Sequence, residues 1–281
     1  MLTVSDHGRD PAGLVYVYPV LSRRAGGVSV GINLNPNNAC NWHCAYCQVP
    51  NLARGKAPKI DLDRLEAELR GFLAAICRGE WLVRNAPEGA RVLKDLAFSG
   101  NGEPTSAAEF ADAVALAARV RAEFALDREV ALRLISNGSL LAQARVQEGI
   151  RRLARAGGEV WFKLDAGKAD AIAKINGVRL APRIAARNLA TCKVLCPTWV
   201  QTCVFRWDGQ PPNAGELDAY LDMLDRAKNG DGGTIQGVLL YGVARPSLQP
   251  EGGRISPLSA AELAGIVSRI EEKGLTVRVS P

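Results

Sequence analysis

Histidine is almost missing from this chain. Two residues, His7 and His43, serve 281 positions, so neither a histidine acid–base relay nor a histidine-rich metal site is expected. No apolar run approaches the roughly 20 residues that a membrane-spanning helix needs. Residues 1–13 carry Asp6, His7, Arg9 and Asp10 without an apolar stretch, which excludes reading them as a secretory signal. With 47% hydrophobic residues the composition also excludes a disordered chain. The net charge of +6 is mild: it permits an acidic partner, nucleic acid included, but requires none. A dense basic stripe is lacking. The nearest groups are Arg54, Lys56 and Lys59, and Arg151, Arg152 and Arg155, which read most simply as solvated faces. Linkers, low-complexity tracts and short-period repeats are lacking as well. A single cytoplasmic α/β domain is the expectation.

What is concentrated is cysteine. Three of the seven, Cys40, Cys44 and Cys47, fall within eight residues, spaced C-x3-C-x2-C. An odd, clustered set argues for metal chemistry in a reducing compartment over a disulfide framework. Three thiolates on one loop converge readily on a single centre. A zinc site with His43 as fourth ligand competes with this reading, although His43 directly precedes Cys44 and the two aim awkwardly at one ion. Cys192, Cys196 and Cys203 raise the question of a second cluster. Placed at a helix end and inside a strand, they read instead as small buried hydrophobes, and Cys77 as helix packing.

Apolar strand-like runs recur at 28–34, 93–99, 130–136, 160–165, 198–205 and 235–243, with a helical segment between consecutive runs. The first helix places Leu62, Leu65, Leu69, Phe72, Leu73 and Ile76 on one stripe. Ser106 and Glu109 are expected to form a capping box for the second, and Ser259 and Glu262 one for the last, before a closing strand at 276–279. A short helix is expected after Pro182. Residues 14–18 suggest a short strand or a cover over one end. Such alternation implies parallel strands with right-handed crossovers, although counting leaves open whether the sheet closes. The expected division is an extension over 1–27, a core over 28–245, and a C-terminal helix and strand over 246–281.

Within the strands, small or polar residues share one face: Ser29, Gly31 and Asn33; Asp95, Ala97 and Ser99; Lys163 and Asp165. A polar inner face suggests a cavity, with functional groups gathered at the carboxyl ends of the strands. The first strand ends in the cysteine loop. The second ends in the glycine-rich turn Ser99-Gly100-Asn101-Gly102-Glu103-Pro104, and the others in Ser136-Asn137-Gly138, in Lys163 and Asp165, and in Tyr241 and Arg245.

Cys40, Cys44, Tyr46 and Cys47 resemble the signature of the radical S-adenosylmethionine superfamily, and Gly100-Asn101-Gly102-Glu103-Pro104 resembles its Gly-Gly-Glu-Pro motif in register on the next strand. The resemblance implies a partial (β/α)6 TIM-like barrel and an enzyme that reductively cleaves S-adenosylmethionine to make a 5′-deoxyadenosyl radical. It also implies one 4Fe–4S cluster on Cys40, Cys44 and Cys47. Tyr46 is then expected beside the adenine, with Gly100, Asn101, Gly102 and Glu103 at the methionine ammonium. Ser136 and Asn137 are expected at the ribose, with Lys163 and Asp165 either at the cofactor or neutralising each other. Tyr241 and Arg245 are candidates for a substrate carboxylate or phosphate, or a cap on the barrel. The phrases around Arg23–Arg24, Gln48, Thr105, Gly138, Ala166 and Pro246 look most like the wyosine-type branch, which contains tRNA 4-demethylwyosine synthases. Those synthases carry a second cluster on upstream cysteines, and no cysteine precedes Cys40 here. A tRNA base, a polypeptide and a small metabolite compete as substrate, the last being favoured. A flavodoxin or ferredoxin is the expected electron donor, docking near residues 54–59.

Overall fold

The computed structural model describes residues 2–3, 13–126, 129–230 and 232–280. His7 and the charged residues around it lie outside this set. Eight strands form one curled sheet whose spatial order follows the sequence. They are β1 (Val17–Ser22), β2 (Gly27–Ile32), β3 (Leu93–Phe98), β4 (Ala131–Ser136), β5 (Glu159–Lys163), β6 (Thr198–Val204), β7 (Gly237–Gly242) and β8 (Val277–Ser280). From β2 onward every pairing is parallel, whereas β1 runs antiparallel along the edge of β2. The result is the expected partial barrel. The suggested strand or cover near residue 14 becomes this edge strand, begun three residues later.

Among the described residues, seven helices of eight residues or more pack outside: α1 (Leu62–Arg78), α2 (Phe110–Glu123), α3 (Ala144–Arg155), α4 (Ala169–Asn176), α5 (Pro182–Leu195), α6 (Ala214–Asn229) and α7 (Ala260–Glu271). The stripe on α1 is buried through Leu65, Leu69, Leu73 and Ile76, facing Val28, Val30 and Ile32 of β2 in the main core. The helix begins where Asp61 accepts the amide of Arg64 at 3.0 Å. Capping boxes open α6 at Asn213 with Glu216 and α7 at Ser259 with Glu262.

Two helix expectations need correction. Ser106 does not cap α2, which starts at Phe110 without a side-chain cap. Its hydroxyl instead donates to Glu103 O at 2.7 Å and accepts the amide of Ala57 at 2.9 Å. It is spent on holding the glycine turn. The crossover after β5 contains two helices, not one short one, because α4 precedes Pro182 and α5 runs to Leu195.

Glu68 of α1 fixes the edge strand. Its buried carboxylate accepts the amides of Val15, Tyr16 and Val17, the shortest at 2.7 Å. The N-terminal segment is thereby joined to the core by a charge that would otherwise be costly to bury.

Candidate active site

The inner face of the sheet encloses a cavity of about 290 Å³. Strand parity decides its lining. Residues of one parity (Val30, Leu96, Leu134, Val160) are swallowed by the helix layer, and those of the other (Ser29, Asp95, Ile135, Lys163) face inward. Cys40, Cys44 and Cys47 line the same cavity from the loop after β2, and the turn at residues 100–103 lines it from the end of β3.

Three parts of the chain hold the cysteine loop. A two-residue ladder pairs Ala39–Cys40 with Ala53–Arg54. The last turn of α4 receives the amides of His43 (3.0 Å, to Asn176 O) and Ala45 (2.8 Å, to Ile175 O). A clasp from beyond β7 closes the third side. Leu248 N and Gln249 Nε2 each donate to Cys47 O at 3.1 Å, Gln249 Nε2 also reaches Val49 O at 2.9 Å, and Ser247 Oγ donates to Ala45 O at 2.6 Å. Two sulfurs accept N–H donors: Cys40 Sγ from Trp42 N and Cys44 Sγ from Asn176 Nδ2, both at 3.5 Å.

Burial pushes the thiol of Cys40 up to about 12 and that of Cys44 to about 11, the latter moderated by Lys163. Protons retained there are released when a metal takes the sulfurs. Among the described residues, no three His, Cys, Asp or Glu side chains are drawn closely enough together to hold one metal ion. Cys40, Cys44 and Cys47 line one cavity and lie near enough for Cys44 and Cys47 to raise the Cys40 thiol; this all-sulfur donor set suits an iron–sulfur cluster, whose ligands bind separate irons and whose potential N–H···S bonds tune. The residues therefore fit the group.

The glycine turn is built for close approach. Gly100 has φ +141°, and a Cβ there would lie 2.5 Å from Asn33 Oδ1; a Cβ on Gly102 would lie 2.1 Å from Ala39 O. Glu103 is buried and surrounded by donors. Its Oε1 accepts from Thr105 N (3.1 Å), Thr105 Oγ1 (2.6 Å) and Ser136 Oγ (2.7 Å), and Oε2 accepts from Asn137 N (2.7 Å). Burial pushes its carboxyl up, with these donors opposing. The carboxylate thus ties the turn to the end of β4, and Ser136 stands behind it, outside the cavity lining. Asn137 does line the cavity, its amide donating to Asn41 Oδ1 at 2.9 Å.

Lys163 and Tyr241 meet inside the cavity, Lys163 Nζ donating to the Tyr241 hydroxyl at 3.1 Å. Burial works against the ammonium, but Tyr241, Asp165 and Cys44 outweigh it and hold its pKa above the ordinary lysine value. Asp165 does not share that wall. It borders a second cavity of about 440 Å³ behind Tyr46. Its oxygens accept from Tyr46 Oη (2.5 Å), Asn176 Nδ2 (2.7 Å) and Cys203 N (2.8 Å). Tyr46 is accordingly anchored by its hydroxyl, its ring 5.8 Å from that of Phe205 and 6.4 Å from that of Tyr241. Arg245 lines the first cavity and donates to Gln48 Oε1 at 3.3 Å. Cys192, Cys196 and Cys203 are all buried, the first two in the main core; Cys203 faces inward between the two cavities.

Sequence reasoning missed Asn176, Ser247 and Gln249, whose roles arise only from packing. It also missed Gln201, which shares the inward parity of Cys203 and was legible on that ground.

A curled parallel sheet that aims a three-thiol loop and a glycine turn into one cavity is an α/β partial barrel with its candidate site at the carboxyl ends of the strands. The model of the radical SAM superfamily matches residues 34–224, and the chain belongs to that superfamily. It is an enzyme of the radical SAM class, and the family implies a 4Fe–4S cluster and S-adenosylmethionine as cofactors. No curated protein gave a match. Among solved structures, the fold is similar to TYW1 with a lysine–pyruvate adduct bound (TM-score 0.53, 15% identity, 88% of this chain and 74% of that one). It is also similar to a radical SAM methyltransferase from Sphaerobacter thermophilus (0.58, 15%, 90% and 66%) and to the FeFe-hydrogenase maturase HydG from Carboxydothermus hydrogenoformans (0.55, 10%, 90% and 53%). At these identities the likeness is one of fold.

Proposed function

We propose that this chain cleaves S-adenosylmethionine reductively, with an electron from a 4Fe–4S cluster held by Cys40, Cys44 and Cys47, and that the resulting 5′-deoxyadenosyl radical abstracts hydrogen from a small metabolite. One observation carries the reading: the three thiols and the turn at residues 100–103 open into a single cavity. The N–H donors on Cys40 and Cys44 favour the thiolate and position it. Gly100, Asn101, Gly102 and Glu103 receive the methionine ammonium through the backbone of the turn, which the Glu103 carboxylate braces from behind. Asn137 serves the ribose, with Ser136 bracing it, and Lys163 takes the methionine carboxylate. Tyr46 flanks the adenine and is oriented by Asp165, which acts through it. Tyr241 and Arg245 border the substrate. The sheet and the loop exclude water from the reacting atoms.

Anaerobic reconstitution followed by reduction tests this directly. The expected result is a brown protein that converts S-adenosylmethionine to 5′-deoxyadenosine, with colour and turnover both abolished in Cys44→Ala. A fully loaded cluster without cleavage refutes the proposal, and stoichiometric zinc without iron or sulfide would make the chain a non-catalytic binding module.

The wyosine-type motif phrases support placement nearest that branch, with a single cluster, in the cytoplasm. An iron content above four per chain would reject the single cluster. A tRNA substrate remains the competing reading within the branch. The exposed Lys56 and Lys59, close to the cysteine loop, support docking of an acidic flavodoxin or ferredoxin.

A further inference from the structure

The cofactor reading leaves three lining residues of the cavity, Arg24, Asp95 and Gln201, without a role. Lys163 on β5 pairs directly with Gln201 on β6, which pairs in turn with Leu239 on β7. Residues in such register stand side by side on one face. Gln201 is 1% exposed, lines the cavity, and its Nε2 has no hydrogen-bond partner. The guanidinium of Arg24, on the exposed β1–β2 turn, reaches the same region. It lies 4.9 Å from the centroid of the Tyr241 ring and 5.6 Å from that of Trp161, the residues that flank Gln201 diagonally on β7 and β5.

Nearby carboxylates are committed elsewhere. Asp165 and Glu103 are taken by the donors already described, and Asp95 and Glu159 are both paired with Arg133. Among the described residues, neither Lys163 nor Arg24 forms an ion pair; Asp165 and Asp95 act on them only from farther off, and aromatic faces and a phenol are their direct contacts. With Lys163 given to the cofactor, one cation, Arg24, and one unpaired amide donor, Gln201 Nε2, remain on this wall and call for an anionic acceptor. A complementary atom is Asp95 Oδ1, on a residue 2% exposed that also lines the cavity: it accepts no hydrogen bond, although the Ser29 hydroxyl and the charges of Arg133 and Arg24 lie near the carboxylate. Beside them Trp161, Trp199, Leu239 and Ile135 pack as one apolar cluster.

We propose that this wall binds the substrate as a small carboxylate that also carries an amino or hydroxyl group, its carboxylate received by Gln201 and Arg24 and its donor by Asp95. The inference rests on the cofactor reading above, which assigns Lys163 to the methionine carboxylate and so leaves Gln201 and Arg24 for a second anion. A phosphate would share the oxyanion chemistry, and the test separates the two.

Calorimetric titration of the reconstituted full chain with L-alanine, L-lactate, L-glutamate, propionate and inorganic phosphate makes the measurement. At least one of the first three is expected to bind, more tightly than propionate or phosphate. Gln201→Leu, an apolar replacement of similar volume beside Leu239, and Arg24→Gln, on an exposed turn, should each weaken it about tenfold or more. Preference for phosphate, or affinity indifferent to both substitutions, overturns the proposal. So does the absence of binding by every carboxylate in a chain that cleaves S-adenosylmethionine. Carboxylate binding by a loaded chain that does not cleave it would support the pocket and reject the cofactor reading instead.

Discussion

Replacing Gln249 with alanine should loosen the third cysteine without unfolding the barrel. The Gln249 amide is buried and donates to the carbonyls of Cys47 and Val49. Cys47 O keeps the amide of Leu248 in the variant, so that half of the loss is one net hydrogen bond, about 1 kcal/mol. Val49 O loses a buried donor, which costs about 1–3 kcal/mol when the group stays dry. The sum, about 2–4 kcal/mol, falls on a loop rather than on the sheet. At 1.4 kcal/mol per factor of ten, the open population of the loop rises by roughly 30-fold to several hundred-fold. Gln249→Glu keeps the shape but turns a buried carboxylate toward two carbonyl oxygens, and should open the loop at least as far. Amide exchange over residues 45–49 reads the opening, and iron retained after anaerobic gel filtration reads its effect on the site. Protection of those amides equal to wild type, together with full iron, would refute the reasoning.

Lys56→Glu with Lys59→Glu should slow reduction by an acidic flavodoxin or ferredoxin and flatten its salt dependence; unchanged stopped-flow rates would reject docking there. Tyr46→Phe removes a charge-assisted bond to Asp165 worth about 1.5–3 kcal/mol while keeping the ring, and should raise KM for S-adenosylmethionine more than it lowers kcat. Burial pushes the Glu68 carboxyl up, but its backbone donors and Arg64 outweigh this and hold its pKa below the ordinary 4.5. A depressed carboxyl contributes stability above its unfolded value and loses it as pH falls through the folded one. The edge strand should therefore detach in acid before the barrel melts, and Glu68→Gln should show that detachment already at neutral pH, both by exchange of the β1 amides.

The strands were legible because period-two alternation is enforced by burial on the helix side, and all six barrel strands fall within three residues of their expected bounds. The cysteines and the glycine turn were legible because their chemistry needs those residue types at fixed local spacing. Glu103 shows where that stops. The motif leads one to expect a carboxylate free for a cofactor, but only the packed structure reveals four protein donors already around it. Ser106 has every local mark of a helix cap, yet its hydroxyl turns back to the Glu103 carbonyl and accepts from Ala57 and Asn35, two partners far away in sequence that no local pattern announces. Helix α4 escaped notice because its eight residues bury only Ala171, Ile172 and Asn176, too few for a periodic stripe.

The clasp at Ser247 and Gln249 also sets an order of assembly. Its bonds to the cysteine loop span about 200 residues of chain, and the support from Asn176 spans 132. At roughly 5–20 residues per second, a ribosome needs about 10–40 s to travel from the third cysteine to Gln249. For that interval the thiols have emerged without the partners that fix them. Delivery of iron and sulfide to a nascent chain would meet a floppy loop, so the stable acceptor for cluster transfer is the completed barrel, and truncations before residue 249 should accumulate as apoprotein.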